Sequence, residues 1–304
     1  KPDVHEDYRE LLSRDDVDAL VVASPNFTHI DVMRDIFTTD KHVMLEKPMC
    51  TTIADAQEVA VRAEQHKGIV WIGLEYRYMS PIAATLQHLD AVGNVRMCAI
   101  REHRFPFLKK VGDWNRFNHN TGGTMVEKCC HFFDLMNLVI PSDPVKVIAS
   151  GGQDVNHLDE IYGNEVPDIL DNAYVIVDYA NGARALLDLC MFAEGSRNEQ
   201  QIAVTGDIGK IETMVPGNEL YLSLRSNNDY KTIGITPDPR VKEQGLHHGA
   251  SYLEHLGFID AIKNSTPPAV TVKDGLMSVA LGIAAQQSIE SGQAVYLDDL
   301  LKGQ

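Results

Sequence analysis

The apolar residues of the first 80 positions fall into three short continuous runs, Leu20 to Ala23, His42 to Leu45 and Ile69 to Leu74, separated by stretches of helical period. Between the first two runs, Ile30, Met33 and Ile36/Phe37 recur at helical spacing, with Thr28 placed to cap and Asp31 three residues on. Between the second and third, Thr51/Thr52 open a segment whose apolar face is Ile53, Ala56, Val59/Ala60 and Ala63, ended by Gly68. A short surface helix from Tyr8 to Leu12 leads in. Short, fully apolar strands alternating with amphipathic helices predict a parallel sheet covered on its faces.

Past Pro81 the pattern changes. A helix to about Leu89 and a turn at Gly93 lead into a long strand from Val95 to about Phe105. Gly122-Gly123 introduces a helix predicted over Met125 to Val139. Strand-like segments then follow one another: Val145–Ser150, Asn172–Tyr179, Ala183–Phe192, Gln201–Thr205, Lys210–Met214 and Leu220–Leu224. Asn181-Gly182 between two of them is a two-residue hairpin signal. Helices return at Tyr252–Lys263, stopped by Pro267-Pro268, and at Asp274–Glu290, stopped by Gly292. The division predicted is a parallel α/β unit over residues 1–80 and an α+β unit over 81–304, the latter built on a large open, mainly antiparallel sheet.

Composition narrows the function classes. The 304 residues are 44% hydrophobic and 23% charged, with no apolar run near membrane-spanning length and no secretory signal. A net charge of −16 argues against nucleic acid and anionic lipid as partners. The five cysteines are odd in number and lack metal-ligand spacing, which predicts no metal site and a reduced, cytoplasmic setting. There is no G-x-G-x-x-G, and Gly206-Asp-Ile-Gly209-Lys210 has neither that spacing nor the Walker pattern.

Candidate chemistry sits where the apolar runs stop. Ser24-Pro25-Asn26 follows the first, Glu46-Lys47-Pro48 the second and Glu75-Tyr76-Arg77-Tyr78 the third. In open α/β sheets that carboxyl edge is where ligands bind. A lysine there can polarise an oxygen or move a proton, whereas an isolated Glu-Lys-Pro is just as well a surface turn. The second element is Gly122-Gly123-Thr124-Met125-Val126-Glu127-Lys128-Cys129-Cys130-His131-Phe132-Phe133-Asp134. Glu127 and His131, four apart, share a helix face, which suits an imidazole moving a proton beside an orienting carboxylate. A core histidine satisfied by its neighbour is the competing reading. The loop holding His103, Arg104, Trp114, Arg116 and His119 offers an aromatic plate and several donors, as a sugar ring needs.

These two motifs resemble the glucose–fructose oxidoreductase / inositol dehydrogenase (Gfo/Idh/MocA) family of NAD(P)-dependent enzymes, and the likeness runs from about Asp16 to Leu297. The resemblance implies NAD or NADP as cofactor and a truncated Rossmann-type parallel sheet, with residue 1 falling after the third strand and roughly 60 further residues expected from two βαβ units. It places Ser24, Pro25, Asn26, His29, Glu46, Lys47, Pro48 and Arg77 on the cofactor side, and Glu127, His131, Trp114 and Arg104 on the substrate side. Lys47 and His131 become the catalytic pair. For His29 and Arg77, a solvated first-turn histidine and a salt-bridged surface arginine remain open. Most members carry aspartate where this chain has Glu127, and Lys128 is not a general family feature. The implied activity is oxidation of a hydroxyl of a sugar or inositol-like polyol, in a homodimer or homotetramer formed through the open sheet. Two relatives' activities are alternatives: glycoside hydrolysis through a keto intermediate with recycled cofactor, and ligand sensing without turnover. Free NADH accumulating with substrate excludes the first, and retention of both Lys47 and His131 weighs against the second.

Overall fold

A computed structural model of the chain describes residues 2–302. The first unit runs α1 (Arg9–Leu12), β1 (Ala19–Val22), α2 (His29–Ile36), β2 (His42–Glu46), α3 (Ile53–Ala63) and β3 (Val70–Gly73). Its strands pair in parallel in the order β1-β2-β3, with Val43 central between Leu20 and Val70. Thr52 caps α3 by accepting from the Asp55 N–H. Thr28 does not cap α2 as predicted: a 3₁₀ turn over Asn26–Thr28 precedes that helix, and the Thr28 hydroxyl donates to Pro25 O at 2.7 Å while sharing a hydrogen bond with the Ser24 hydroxyl, also at 2.7 Å. Thr28 already has helical backbone angles, so its hydroxyl is not aimed at the first-turn N–H groups.

The remainder comprises α4 (Ser80–Gln87), β4 (Val95–His103), α5 (Asn118–Thr121), α6 (Thr124–Glu127), α7 (Cys130–Val139), β5 (Pro144–Gly152), β6 (Asn172–Tyr179), β7 (Arg184–Cys190), β8 (Gln200–Gly206), β9 (Gly209–Val215), β10 (Glu219–Leu224), β11 (Asp229–Gly234), α8 (Ala250–Asn264), α9 (Val272–Ser291), β12 (Val295–Tyr296) and α10 (Leu297–Lys302). The nine strands β4–β12 form one sheet in the order β11-β10-β9-β8-β4-β7-β6-β5-β12, antiparallel throughout except for the parallel pair β4–β7. Buried and exposed residues alternate along β6 to β9, so one face of the sheet carries the core and the other is open. The Asn181-Gly182 turn closes the β6–β7 hairpin with Gly182 at φ 81°.

The single helix predicted over Met125–Val139 is two. Lys128 N–H and Cys129 N–H both donate to Thr124 O, at 3.0 and 3.3 Å, so the ladder slips by one residue before α7 begins. Helix α9 crosses just ahead of this slip: a Cβ on Gly282 would stand 2.7 Å from Met125 O and 2.9 Å from Val126 Cα. Backbone meets backbone at that crossing, which only glycine permits.

The described residues form two apolar clusters. One joins the inner face of the large sheet to α7 and α9. The other, beneath β1–β3, takes in Phe258, Ala261, Val270 and Val279 from the far end of the chain. The C-terminal helices thereby complete the core of the N-terminal sheet and fix the two units edge to edge.

Candidate active site

A cavity of about 590 Å³ lies at the carboxyl edge of β1 and β2. Ala23, Ser24, Pro25, Asn26, Glu46 and Lys47 form one wall, and Lys109, Lys110, Val111, Trp114 and Glu127 the other. Lys47 Nζ donates to Glu127 O across it at 3.2 Å, bringing together groups 80 residues apart. Asn26 is 6% exposed, and its Nδ2 has no partner. Glu127 is 4% exposed, with Oε2 likewise unpartnered. Buried polar atoms without partners are uncommon in folded proteins, and these two point to a ligand.

The upper wall is held by backbone. Gly112 and Asp113 sit at φ 71° and 54°, and the Asp113 N–H donates to Lys110 O at 3.0 Å. The Asn120 side chain donates to Trp114 O at 3.1 Å. Trp114 meets Phe27 edge to face with centroids 6.3 Å apart, and the Lys110 ammonium lies 5.0 Å over its ring.

Of the residues the sequence assigned to this site, Ser24, Pro25, Asn26, Glu46, Lys47, Trp114 and Glu127 line the cavity. Pro48, which follows Lys47 through a cis peptide bond, is buried behind that wall. Three assignments need correction. His29 is neither on the cofactor lip nor solvated: it is fully buried, its ring nitrogens 2.9 Å from Pro48 O and 3.0 Å from Ser24 O. It clamps the ends of β1 and β2, and burial pushes its pKa down despite those two carbonyls. Arg77 points away from the cavity. Its Nε donates to Asp134 Oδ2 at 2.7 Å, its Nη2 pairs with Asp134 Oδ1 and with Asp274 at 3.2 Å, and its Nη1 donates to Ala269 O at 2.9 Å. Arg104 likewise lies off the wall, between Glu102 (3.4 Å) and Glu199 (3.3 Å) and over the Phe105 ring.

His131 differs from expectation in position. It is 2% exposed and absent from the wall, stacked flat on Tyr76 with centroids 3.9 Å apart and planes 5° from parallel. The slip between α6 and α7 breaks the shared face that an unbroken helix would give it with Glu127. Its Nδ1 has no partner. Burial holds the imidazole neutral, its pKa well below the usual value, and Lys47, Lys128, His247 and Arg104 push the same way. Burial raises the pKa of Glu127, against the pull of Lys47, Lys110, Arg116 and Lys128.

Sequence reasoning missed Lys109 and Lys110, whose only signal was a lysine pair ahead of Gly112. It also missed the polar layer behind His131. Lys128 Nζ, buried, donates to Tyr76 Oη at 2.8 Å and pairs with fully buried Glu102 at 2.8 Å. Glu75 accepts from Ser251 Oγ and pairs with His247 at 2.5 Å. Burial pushes Glu75 up, but His247, Ser251 and Lys47 outweigh it and hold the carboxyl below its ordinary value.

A cleft at the carboxyl edge of a parallel sheet, closed by a second layer bearing a cation, an aromatic plate and buried acceptors, is built for a nucleotide and a small polar molecule side by side. Residues 2–74 match the NAD-binding Rossmann fold of the oxidoreductase family, and residues 89–297 match that family's C-terminal alpha/beta domain. The chain belongs to the Gfo/Idh/MocA oxidoreductase family and is an NAD(P)-dependent dehydrogenase acting on CH–OH donors. It is similar to the myo-inositol 2-dehydrogenase of Thermotoga maritima, at 26% identity over 98% of this chain and 85% of that protein. It is also similar to the scyllo-inositol 2-dehydrogenase (NAD(+)) of Bacillus subtilis, at 23% identity over 96% and 81%. Among solved structures, levoglucosan dehydrogenase in complex with NADH and levoglucosan shares the fold, with a TM-score of 0.83 and 17% identity over 96% of this chain and 83% of that one. An oxidoreductase domain protein from Kribbella flavida does so with a TM-score of 0.84 and 21% identity over the same shares. The residues at the sheet edge fit a dinucleotide: the orphaned Asn26 amide offers a buried donor beside Ser24 and Lys47.

Proposed function

We propose that the reaction is removal of hydride and proton from a secondary hydroxyl of a sugar or inositol-like ring seated between Lys47, Glu127 and Trp114. When bound, NAD or NADP supplies the hydride acceptor. Ser24, Pro25, Asn26, Glu46 and Lys47 would hold it at the sheet edge, backed by Pro48. Lys47 stabilises the alkoxide that develops as the C–H bond breaks. For His131, neutral and with Nδ1 free, to take the hydroxyl proton and leave a ketone, the substrate must reach past the wall to a ring that is buried against Tyr76. Glu127, whose burial favours its neutral form, orients the ring by donating or accepting a hydrogen bond through Oε2. The reading rests above all on Lys47, which reaches from the Rossmann edge to the Glu127 carbonyl inside one cavity.

Residues 1–80 carry the cofactor side in this proposal, and residues 81–304 the substrate and the subunit contact. A homo-oligomer forms through the open face of the large sheet, and the five unpaired cysteines suit the cytoplasm.

Steady-state oxidation of inositols and aldoses by the full chain, followed through nicotinamide absorbance, tests the assignment. His131→Ala is expected to lower kcat by ~10²–10⁴-fold, and Lys47→Met by ~10²–10³-fold, with the Kd for NADH nearly unchanged in His131→Ala. A His131→Ala enzyme with wild-type kcat removes the histidine from the reaction.

A further inference from the structure

In a chain of net charge −16, the cavity's side chains carry an excess of positive charge. Four cations, Lys47, Lys110, Arg116 and Lys128, pull the Glu127 pKa down against its burial, and Lys47 reaches the Glu127 carbonyl. Lys128 is matched by Glu102 at 2.8 Å, and Arg116 by Glu160 at 3.0 Å through Nε. Lys47 and Lys110 have no carboxylate partner among the described residues, and Arg116, 4% exposed, keeps a buried Nη1 with nothing to donate to. Lys109 is the one cavity lysine outside this count, with Asp113 3.6 Å away. The two acids on the wall, Glu46 and Glu127, do not balance this charge, since burial pushes both toward their neutral forms. Lys47 already serves the developing alkoxide, but a neutral polyol has no use for the unpaired Lys110 ammonium and an orphaned guanidinium N–H, because hydroxyls are met equally well by uncharged donors.

Resting on the reading of this cavity as the substrate site, we propose that the physiological substrate is a sugar carrying an anionic group, a carboxylate or a phosphate, received by Lys110 and Arg116 while its ring lies on Trp114. Lys110 is the outer contact, on an exposed loop over the indole face. Arg116 lies behind the lined wall, anchored by Glu160, and would be the inner contact through its unpartnered Nη1. Charge-assisted hydrogen bonds of this kind are shorter and stronger than neutral ones, and their loss reads as roughly a tenfold to hundredfold change in affinity.

The test is calorimetric binding to the full chain with NADH present, using matched pairs: glucose against glucuronate and against glucose 6-phosphate, and galactose against galacturonate. At least one anionic partner is expected to bind roughly tenfold or more tightly than its neutral twin, with the advantage shrinking as salt is raised. Uronate preference identifies the group as a carboxylate, and sugar-phosphate preference as a phosphate. Lys110→Met should narrow the ratio of anionic to neutral affinity, and Lys110→Arg should keep it. Neutral sugars that bind as tightly as their acids overturn the proposal, as does a Lys110→Met change that weakens NADH and not the sugar. Turnover is scored separately. Tight acid binding without turnover of any sugar rejects the redox mechanism and leaves this inference standing, while turnover without charge preference does the reverse.

Discussion

His131 shows how little a residue's spacing says about its surroundings. Four residues after Glu127, it leaves the cavity wall because one carbonyl, Thr124 O, accepts two N–H groups and the helix restarts at Cys130. The resulting burial has a thermodynamic consequence. A folded-state pKa well below the unfolded value of about 6.5 means that the unfolded chain binds the proton first. The stability carried by the neutral ring is therefore intact above about pH 6.5 and is lost as pH falls toward the folded pKa, at up to about 1.4 kcal/mol per pH unit. His29 contributes in the same direction and is untouched by a change at 131. The melting temperature of the wild type should accordingly fall more steeply between about pH 7 and 5 than that of His131→Asn, by differential scanning calorimetry. Parallel curves would mean that the ring is not held neutral.

Elements were legible where local pattern and local partner coincide. The apolar runs gave β1–β3, the Thr52 cap marked the start of α3, and Asn181-Gly182 marked a hairpin. Legibility failed where the partner is remote. Arg77 sits at a strand end that faces ligands in such sheets, yet its hydrogen-bond partners lie 57 and 192 residues away. His29 is held by a carbonyl 19 residues on. Strand β11 was missed because nearly all its residues are exposed and no alternation betrays it. The Arg77 placement is open to measurement. Arg77 and Asp134 side chains are 10% and 3% exposed, so removing the guanidinium leaves a buried carboxylate uncompensated. Arg77→Met should cost about 3–5 kcal/mol in urea unfolding. An unfolding midpoint equal to the wild type, together with a weakened Kd for NADH, would return Arg77 to the cofactor site.

At the scale of the molecule, the open face of the nine-stranded sheet presents a row of neighbours across three strands, Ile148, Ile176 and Leu186, which are 44%, 43% and 37% exposed. Tyr174 and Met97 extend it. In the proposed homo-oligomer, this apolar band is the surface a second copy would cover. Ile176→Glu in the middle of the row should lower the mass measured by light scattering to that of a smaller assembly, with far-UV circular dichroism unchanged. An unaltered mass would place the subunit contact elsewhere.

The N-terminal sheet's own core depends on Phe258, Ala261, Val270 and Val279, and Trp71 donates its indole N–H to Glu254, 183 residues later. During synthesis, the first unit therefore leaves the ribosome with its underside uncovered, and it stays so until nearly the whole polypeptide has emerged. Its final closure is a loop-closing event over most of the chain's length, slow by topology and exposed to aggregation while it waits. A nascent chain halted before residue 250 should hold Trp71 in water, with the red-shifted fluorescence that hydration gives an indole.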